Sequence, residues 1–149
     1  MEYNELFGLL RRIPILESLS DANLKLLAFT AHHLTYEDGE VLFQMNDPSQ
    51  DVYLLIEGEV EQLVANEHGE VLLGVSTKGQ LFGEMAVIRS TPRLVTARAK
   101  GQAEVLCIEG EMFMQMATAS PEAALAVMQQ LALKISKLVD NHKDCLHEP

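Results

Sequence analysis

The sequence predicts a mainly β domain, an antiparallel β-roll of the jelly-roll type with helices at both ends. From about residue 32 to residue 109, apolar and polar residues alternate with a period of two, and glycine turns interrupt them at close spacing. On either side of this region the apolar residues recur at helical spacing. One short helical run at 83–90 interrupts the strands, and a functional site is expected where a regular pattern is broken.

The N-terminal part, residues 1–31, is predicted to form helices that cover one end of the roll. Apolar residues recur at helical spacing over 2–12 and again over 20–30. Ser20 is a suitable N-cap for the second helix, and Pro14 separates the two.

The strands of the roll are predicted within residues 32–109. They are expected near 33–36, 40–44, 52–57, 59–65, 70–76, 94–99 and 103–109. Glycine-containing pairs such as Glu57-Gly58 and Lys100-Gly101 are predicted to form turns between them.

The C-terminal part, residues 110–146, is again predicted to be helical. A short helix over 111–116 precedes a long one in which Ser120 is the N-cap and Pro121 the first helical residue. Two adjoining apolar stripes run along the long helix: Leu125, Met128, Ala132, Ile135, Val139 and His142, with Leu131, Leu138 and Cys145 beside them. One stripe would pack on the roll, and the second predicts a homodimer through this helix.

Composition limits the possible functions. A chain of 149 residues is sufficient for one domain, 1–149, and a net charge of −11 argues against direct nucleic-acid binding. There is no apolar run long enough to span a membrane and no basic start of a secretory signal, so we expect a cytoplasmic protein. Cys107 and Cys145 are expected to be reduced thiols.

The segment 82–99, called the cassette below, carries the residues that predict a ligand. Gly83 permits close approach of the backbone, and Arg93 follows Pro92, which ends the short helical run. A helix N-terminus facing an arginine is suited to a phosphate. Glu84 is unexpected beside a phosphate, because the two negative charges repel each other. Its presence is explained if the carboxylate accepts a hydrogen bond from a sugar hydroxyl next to that phosphate.

The cassette resembles the phosphate-binding cassette of cyclic nucleotide-binding domains, as found in the regulatory subunit of protein kinase A and in the bacterial catabolite activator protein. It carries Phe-Gly-Glu, a small apolar segment and Pro-Arg at the family's spacing. The segments 38–43 and 52–60 also resemble earlier strands of that family, so the resemblance covers nearly the whole chain.

The resemblance implies a regulatory module that senses cyclic AMP, with cyclic GMP as the weaker ligand. Arg93 would bind the cyclic phosphate and Glu84 the ribose 2′-hydroxyl. The implied site residues are Phe82, Gly83, Glu84, Met85, Ala86, Arg93, Leu94 and Val95, with Leu73 and Gly74 lining the base. The long helix would move toward the occupied site, and the regulated effector would lie in another domain or protein.

An alternative is a degenerate member of the family that serves in dimerisation or docking without a nucleotide. Leu94 and Val95 favour it, because the family usually has Ala, Ser or Thr at these positions. If the site does bind nucleotide, Leu94 offers no hydroxyl to a guanine amino group, which predicts a preference for cyclic AMP. We also expect Arg93→Ala to remove binding while leaving thermal stability nearly unchanged.

Nothing in the sequence predicts an enzyme, a metal site or a cofactor. The histidines His32, His33 and His68 lack the spacing and the matching carboxylate of metal-binding barrels. The methionines at 112, 114 and 116 are expected to be packing residues. No Ser/His/Asp or Cys/His arrangement is recognisable.

Overall fold

The computed structural model describes residues 2–141, so the predictions for His142, Cys145 and the helix end at 146 lie outside it. Its helices are α1 (Tyr3–Arg11), α2 (Asp21–Thr30), α3 (Glu84–Arg89), α4 (Gly110–Ala117) and α5 (Pro121–Asn141), with a 3-10 turn at Pro14–Leu16. Its strands are β1 (His32–Tyr36), β2 (Val41–Phe43), β3 (Asp51–Asn66), β4 (Gly69–Ser76), β5 (Leu81–Phe82) and β6 (Thr96–Glu109). The predicted class, an antiparallel sheet with flanking helices, is confirmed.

All strand pairs are antiparallel and belong to one rolled sheet. Its order is β1-β6-β3-β4, with β2 also paired to β6 and β5 to β3. The sheet is not strictly closed, because β1 and β4 end this path. The long strands β3 and β6 pair along most of their length and carry the shorter strands on either side.

The predicted turns at Gly58 and Gly101 are wrong, because β3 and β6 each run through their glycine as one strand. The register between the two strands shifts on both sides of Glu57, which makes this region a bulge. Gly58 has φ +93°, and a Cβ there would lie 2.3 Å from the carbonyl oxygen of Gln102. The glycine therefore permits close contact within the sheet instead of reversing the chain.

Side chains of β3 separate two hydrophobic cores. Val52, Leu54 and Ile56 contribute to a helix-side core, which α1, α2, α4 and the start of α5 complete. Tyr53 and Leu55 face the opposite way, into a roll core. The other buried members of the roll core are Phe43, Val60, Phe82, Ala97, Ala99, Ala103, Val105 and Cys107.

Helix α5 contacts the rest of the domain from its start to Lys134 and not beyond, among the residues that the structure describes. Ala123 and Val127 contact the helix-side core, whereas every residue from 135 to 141 is exposed. The exposed apolar residues of this helix are Leu125, Met128, Leu133, Ile135, Leu138 and Val139. No helix within residues 2–141 is both long enough and apolar enough to cross a membrane.

Candidate functional site

Arg93 lies in the loop between α3 and β6, and its backbone and side chain are both held in place. Its N–H donates to the carbonyl oxygen of Asp47 at 2.7 Å, and its own carbonyl oxygen accepts from Asn46 N–H at 2.8 Å. The side chain is only 4% exposed. Nη1 donates to the carbonyl oxygen of Gly83 at 2.9 Å, and Nη2 donates to that of Asp51 at 2.7 Å.

Aromatic side chains of the roll core lie beneath the guanidinium. Its central carbon is 4.1 Å from the ring centroid of Phe43 and 5.8 Å from that of Tyr53. Tyr53 in turn stacks on Phe82, with ring centroids 5.3 Å apart. Burial lowers the pKa of Arg93, yet an arginine stays charged at neutral pH. A fixed positive charge thus lies over an apolar support.

Gly83 is required by the close approach of this arginine. It has φ +79° and directly precedes α3. A Cβ at this position would lie 2.7 Å from Arg93 Nη1. A side chain is therefore excluded both by the left-handed backbone and by the guanidinium.

Glu84 is the first residue of α3 and is 2% exposed. Its Oε1 accepts a hydrogen bond from Nζ of Lys134, on α5, at 2.6 Å. A buried carboxylate requires such compensation, because leaving it unpaired is strongly unfavourable.

Three buried side-chain atoms of the cassette have no hydrogen-bond partner among residues 2–141: Glu84 Oε2, Arg93 Nε and Thr91 Oγ1. Glu84 Oε2 is a hydrogen-bond acceptor with negative charge, and Arg93 Nε is a donor with positive charge. Buried polar atoms are nearly always paired, so these two charged atoms make the cassette a candidate ligand site.

A family model for the cyclic nucleotide-binding domain matches residues 33–120. The chain belongs to the cyclic nucleotide-binding domain family. This confirms the resemblance that the cassette motif indicated.

Among relatives, the chain is similar to the cAMP-dependent protein kinase regulatory subunit of Schizosaccharomyces pombe. The two are 32% identical over 106 residues, which cover 71% of this chain and 25% of that protein. The chain spans about a quarter of the length of the kinase regulatory subunits that it matches. Among solved structures, the sensor domain of the transcriptional regulator DNR from Pseudomonas aeruginosa has a TM-score of 0.78 at 22% identity, covering 93% of each chain. The regulatory domain of Toxoplasma gondii PKA with cAMP has a TM-score of 0.75 at 19% identity, covering 85% of this chain and 49% of that one.

Within this family fold, some of the predicted site residues lie together and others apart. Phe82, Gly83, Glu84 and Arg93 are joined by backbone continuity, by the Arg93–Gly83 hydrogen bond and by the aromatic stack. Met85 is half-buried and Ala86 is buried, both on α3.

The other predicted residues differ in their surroundings. Leu94 is 41% exposed, whereas Val95 packs against the roll core. Leu73 and Gly74 lie on β4, which pairs with β3. Across residues 2–141, neither has a hydrogen bond, ring contact or ion pair with the cassette.

The prediction that Arg93→Ala would leave stability nearly unchanged assumed that the arginine has no role in the fold while the site is empty. In the structure its side chain is buried, lies over the ring of Phe43 and donates to two backbone carbonyl oxygens. Its removal would leave Gly83 and Asp51 without these donors, so we now expect the variant to be less stable than the parent.

Sequence reasoning missed four residues that shape the site: Phe43, Tyr53, Gln130 and Lys134. Gln130 Oε1 accepts from Leu81 N–H at 2.7 Å, and Lys134 Nζ donates to the Leu81 carbonyl oxygen. A signal was available in α5, because these two polar residues share a face with Val127 and Leu131, which are half-buried.

A cavity of about 780 Å³ is a separate feature. The turn 90–92, the loop 46–50 and α4 line it, but neither Glu84 nor Arg93 does. Within residues 2–141, no three His, Cys, Asp or Glu side chains are grouped closely enough to hold a metal ion.

Proposed function

We propose that this chain is a regulatory module that senses a cyclic nucleotide, with cyclic AMP as the preferred ligand. The observation that carries the proposal is the pair of unpartnered buried atoms, Glu84 Oε2 and Arg93 Nε. A cyclic nucleotide carries complementary groups side by side: a ribose 2′-hydroxyl that can donate and a phosphate that can accept.

In this proposal Arg93 binds the cyclic phosphate and Glu84 binds the ribose. The chain has a net charge of −11, so an anionic ligand requires a local cation, and the buried guanidinium supplies it. Helix α3 has only six residues, so we assign its first N–H groups, at Met85 and Ala86, a lesser share of the phosphate binding.

The comparisons support the ligand class. One relative is named a cAMP-dependent regulatory subunit, and one structural neighbour was crystallised with cAMP. By the same reasoning we assign a regulatory and not a catalytic role. That this module regulates an effector is part of the proposal, because the chain spans only about a quarter of the length of the matched kinase regulatory subunits.

The test is calorimetric titration of Arg93→Lys with cyclic AMP at one salt concentration. Lysine keeps the charge but not the planar guanidinium, so the affinity should fall about 30-fold, or about 2 kcal/mol. Arg89→Lys is the matched control, because Arg89 is an exposed arginine at the end of α3. Equal affinity of Arg93→Lys and the control would refute the assignment of Arg93.

The role of Glu84 is tested without altering the protein. The affinity for 2′-deoxy cyclic AMP should be about tenfold lower than for cyclic AMP, because the lost hydroxyl leaves Oε2 unpaired. Equal affinities for the two nucleotides would show that the ribose 2′-hydroxyl does not bind to Glu84.

The docking alternative is favoured by one feature: Val95, a residue of the cassette, packs against the roll core. This alternative predicts that the unaltered protein binds neither cyclic AMP nor cyclic GMP at millimolar concentration. Measurable binding of either nucleotide would exclude it.

We also propose that the chain forms a homodimer through α5. Ile135 is 57% exposed and Val139 43% exposed, one turn apart on the part of the helix that lies beyond the domain. Sedimentation should show a dimer at tens of micromolar, on the order expected for a weak interface. Changing both residues to Glu should give a monomer; a monomeric parent under the same conditions would contradict the proposal.

A further inference from the structure

Gln62 is a polar residue on the interior face of the roll. It lies two residues after Val60, which belongs to the roll core, so the two side chains point to the same face of β3. In the register of the sheet, Gln62 stands opposite Ala97 of β6, another member of the roll core. Directly opposite residues of two strands share a face, so the carboxamide of Gln62 points into the roll.

The carboxamide of Gln62 is held by one buried hydroxyl group. Its Nε2 donates to Oγ of Ser76, on β4, at 3.0 Å, and Ser76 is only 3% exposed. Within residues 2–141 the carboxamide makes no second hydrogen bond, and Gln62 is half-buried. Its Oε1 therefore remains an uncommitted acceptor on the interior face of the roll.

The space beside this carboxamide is open, because its neighbours across the sheet are small. Ala97 flanks Gln62 on one side and Gly74 flanks it on the other. Gly74 does not have the positive φ that would require a glycine, and among residues 2–141 a Cβ there would meet no atom within 4 Å. Neither the backbone conformation nor the packing of the protein therefore requires a glycine here. The row Ala97–Gln62–Gly74 presents one carboxamide between two residues with almost no side chain.

This row lies close enough to the cassette arginine for one ligand to reach both. Ala97 follows Arg93 by four residues, which is at most about 13 Å along the chain. A purine nucleotide whose phosphate is bound at Arg93 can extend over a comparable distance. Its base would then lie against the row that contains Gln62.

The uncommitted oxygen of Gln62 distinguishes between purines by their group at position 6. Adenine carries an amino group there, which donates hydrogen bonds, whereas guanine carries a carbonyl oxygen, which only accepts. Because Nε2 is bonded to Ser76, the group of Gln62 that is left for a ligand is an acceptor. It matches the amino group of adenine.

We propose that Gln62 is a specificity-determining residue that accepts a hydrogen bond from the 6-amino group of an adenine base, and that Ser76 orients its carboxamide. This inference rests on the proposed function and adds to it the chemical group that is recognised on the base. It is separate from the selectivity expected from Leu94, which concerns the 2-amino group of guanine. A cyclic nucleotide with hydrogen or oxygen at position 6 does not form this bond.

The experiment titrates the full chain with cyclic AMP and with purine riboside 3′,5′-cyclic monophosphate, which has hydrogen in place of the 6-amino group. The parent should bind cyclic AMP about tenfold more tightly than this analogue, as expected for one hydrogen bond. Gln62→Leu should bind the two nucleotides equally well. Gln102→Leu is the matched control, because Gln102 is an exposed glutamine of β6, and it should keep the ratio of the parent. Each ratio is measured within one protein, so a general loss of stability cancels.

Two further variants test the acceptor and the position of the base separately. Gln62→Glu should retain most of the preference for cyclic AMP over the analogue, because a carboxylate also accepts from an amino group. Gly74→Leu should bind both nucleotides at least about tenfold more weakly, because its side chain would occupy the space for the base. The melting temperature of ligand-free Gly74→Leu should stay close to that of the parent, since a Cβ there meets no other atom.

The outcomes are distinguishable. If the parent binds cyclic AMP and Gln62→Leu keeps the ratio of the parent, the inference is overturned while the proposed function stands. Equal affinity of the parent for the two nucleotides would overturn it in the same way. Gly74→Leu with the affinity of the parent would show that the base does not lie against this row. If the parent binds neither nucleotide, the proposed function fails, and the assignment of Gln62 fails with it.

Discussion

The two hydrophobic cores share strand β3 but differ in chemistry. The helix-side core consists of apolar side chains, mostly leucine and isoleucine, that hold the helices on the sheet. The roll core combines alanines with three stacked aromatic rings, and the buried guanidinium of Arg93 lies against it. Neighbouring residues of β3 therefore belong to different cores, since consecutive side chains of a strand point to opposite faces.

The difference indicates that the roll core supports the candidate site directly, through the contacts of its aromatic rings with Arg93. Its aromatic rings lie against a charge that water would otherwise solvate. The helix-side core contributes to stability and, through α5, to the position of Lys134. The following predictions test this division, beginning with the largest expected effect.

Leu54 and Leu55 provide a matched pair, because both are fully buried and they face opposite cores. Truncation of either to alanine should lower the free energy of unfolding by about 2–5 kcal/mol in urea titrations. Only Leu55→Ala should also weaken cyclic AMP binding, by several-fold, because it loosens the packing near the aromatic support. Equal losses of affinity in both variants would remove the functional distinction between the cores.

Arg93→Ala should lower the free energy of unfolding of the ligand-free protein by about 2–4 kcal/mol. The substitution leaves the carbonyl oxygens of Gly83 and Asp51 without donors and removes the stacking on Phe43. Urea unfolding measures the loss, with Arg89→Ala as the exposed control. A stability unchanged from that of the control would mean that the roll core does not depend on the arginine.

The pH dependence of the unfolding free energy tests whether the Cys107 thiol is buried in the roll core. Burial, with the charge of Asp51, raises the pKa of this thiol from 9.0 to about 11. The folded protein therefore keeps a proton that the unfolded chain loses between pH 9 and pH 11. Its stabilising contribution is complete below pH 9 and is lost as the pH rises toward 11, by about 2–3 kcal/mol.

The measurement is the slope of unfolding free energy against pH, compared with Cys107→Ala. The variant should show a shallower fall of unfolding free energy over this range. Identical slopes would show that the thiol is accessible to water in the folded protein, contrary to its burial.

Leu94 lies outside both cores, and substitution there should affect selectivity and not stability. It is 41% exposed and has no hydroxyl group. The parent should prefer cyclic AMP over cyclic GMP by about tenfold, and Leu94→Thr should narrow that ratio by offering a partner to the guanine amino group. Competition titrations with both nucleotides measure the ratio; an unchanged ratio in Leu94→Thr would assign the selectivity to other residues.

Local sequence signals determined much of the fold. The period of two predicted the sheet, and the helical periods predicted α1, α2 and the start of α5 close to their observed positions. The turns expected at Gly58 and Gly101 failed because a glycine with positive φ is compatible with both a turn and a bulge. The neighbouring strand decides between them, and the local sequence does not contain that information.

The candidate site shows the same limit. The cassette motif alone identified the family and the pair Glu84 and Arg93, because their spacing is a property of one continuous segment. Only the tertiary structure brought Phe43, Tyr53 and Lys134 to that segment, from positions up to 50 residues away along the chain. Burial of the arginine and the charge that compensates the glutamate depend on these distant contacts. Solvation and ion pairing are set by the surroundings of a side chain in space, which a motif does not encode.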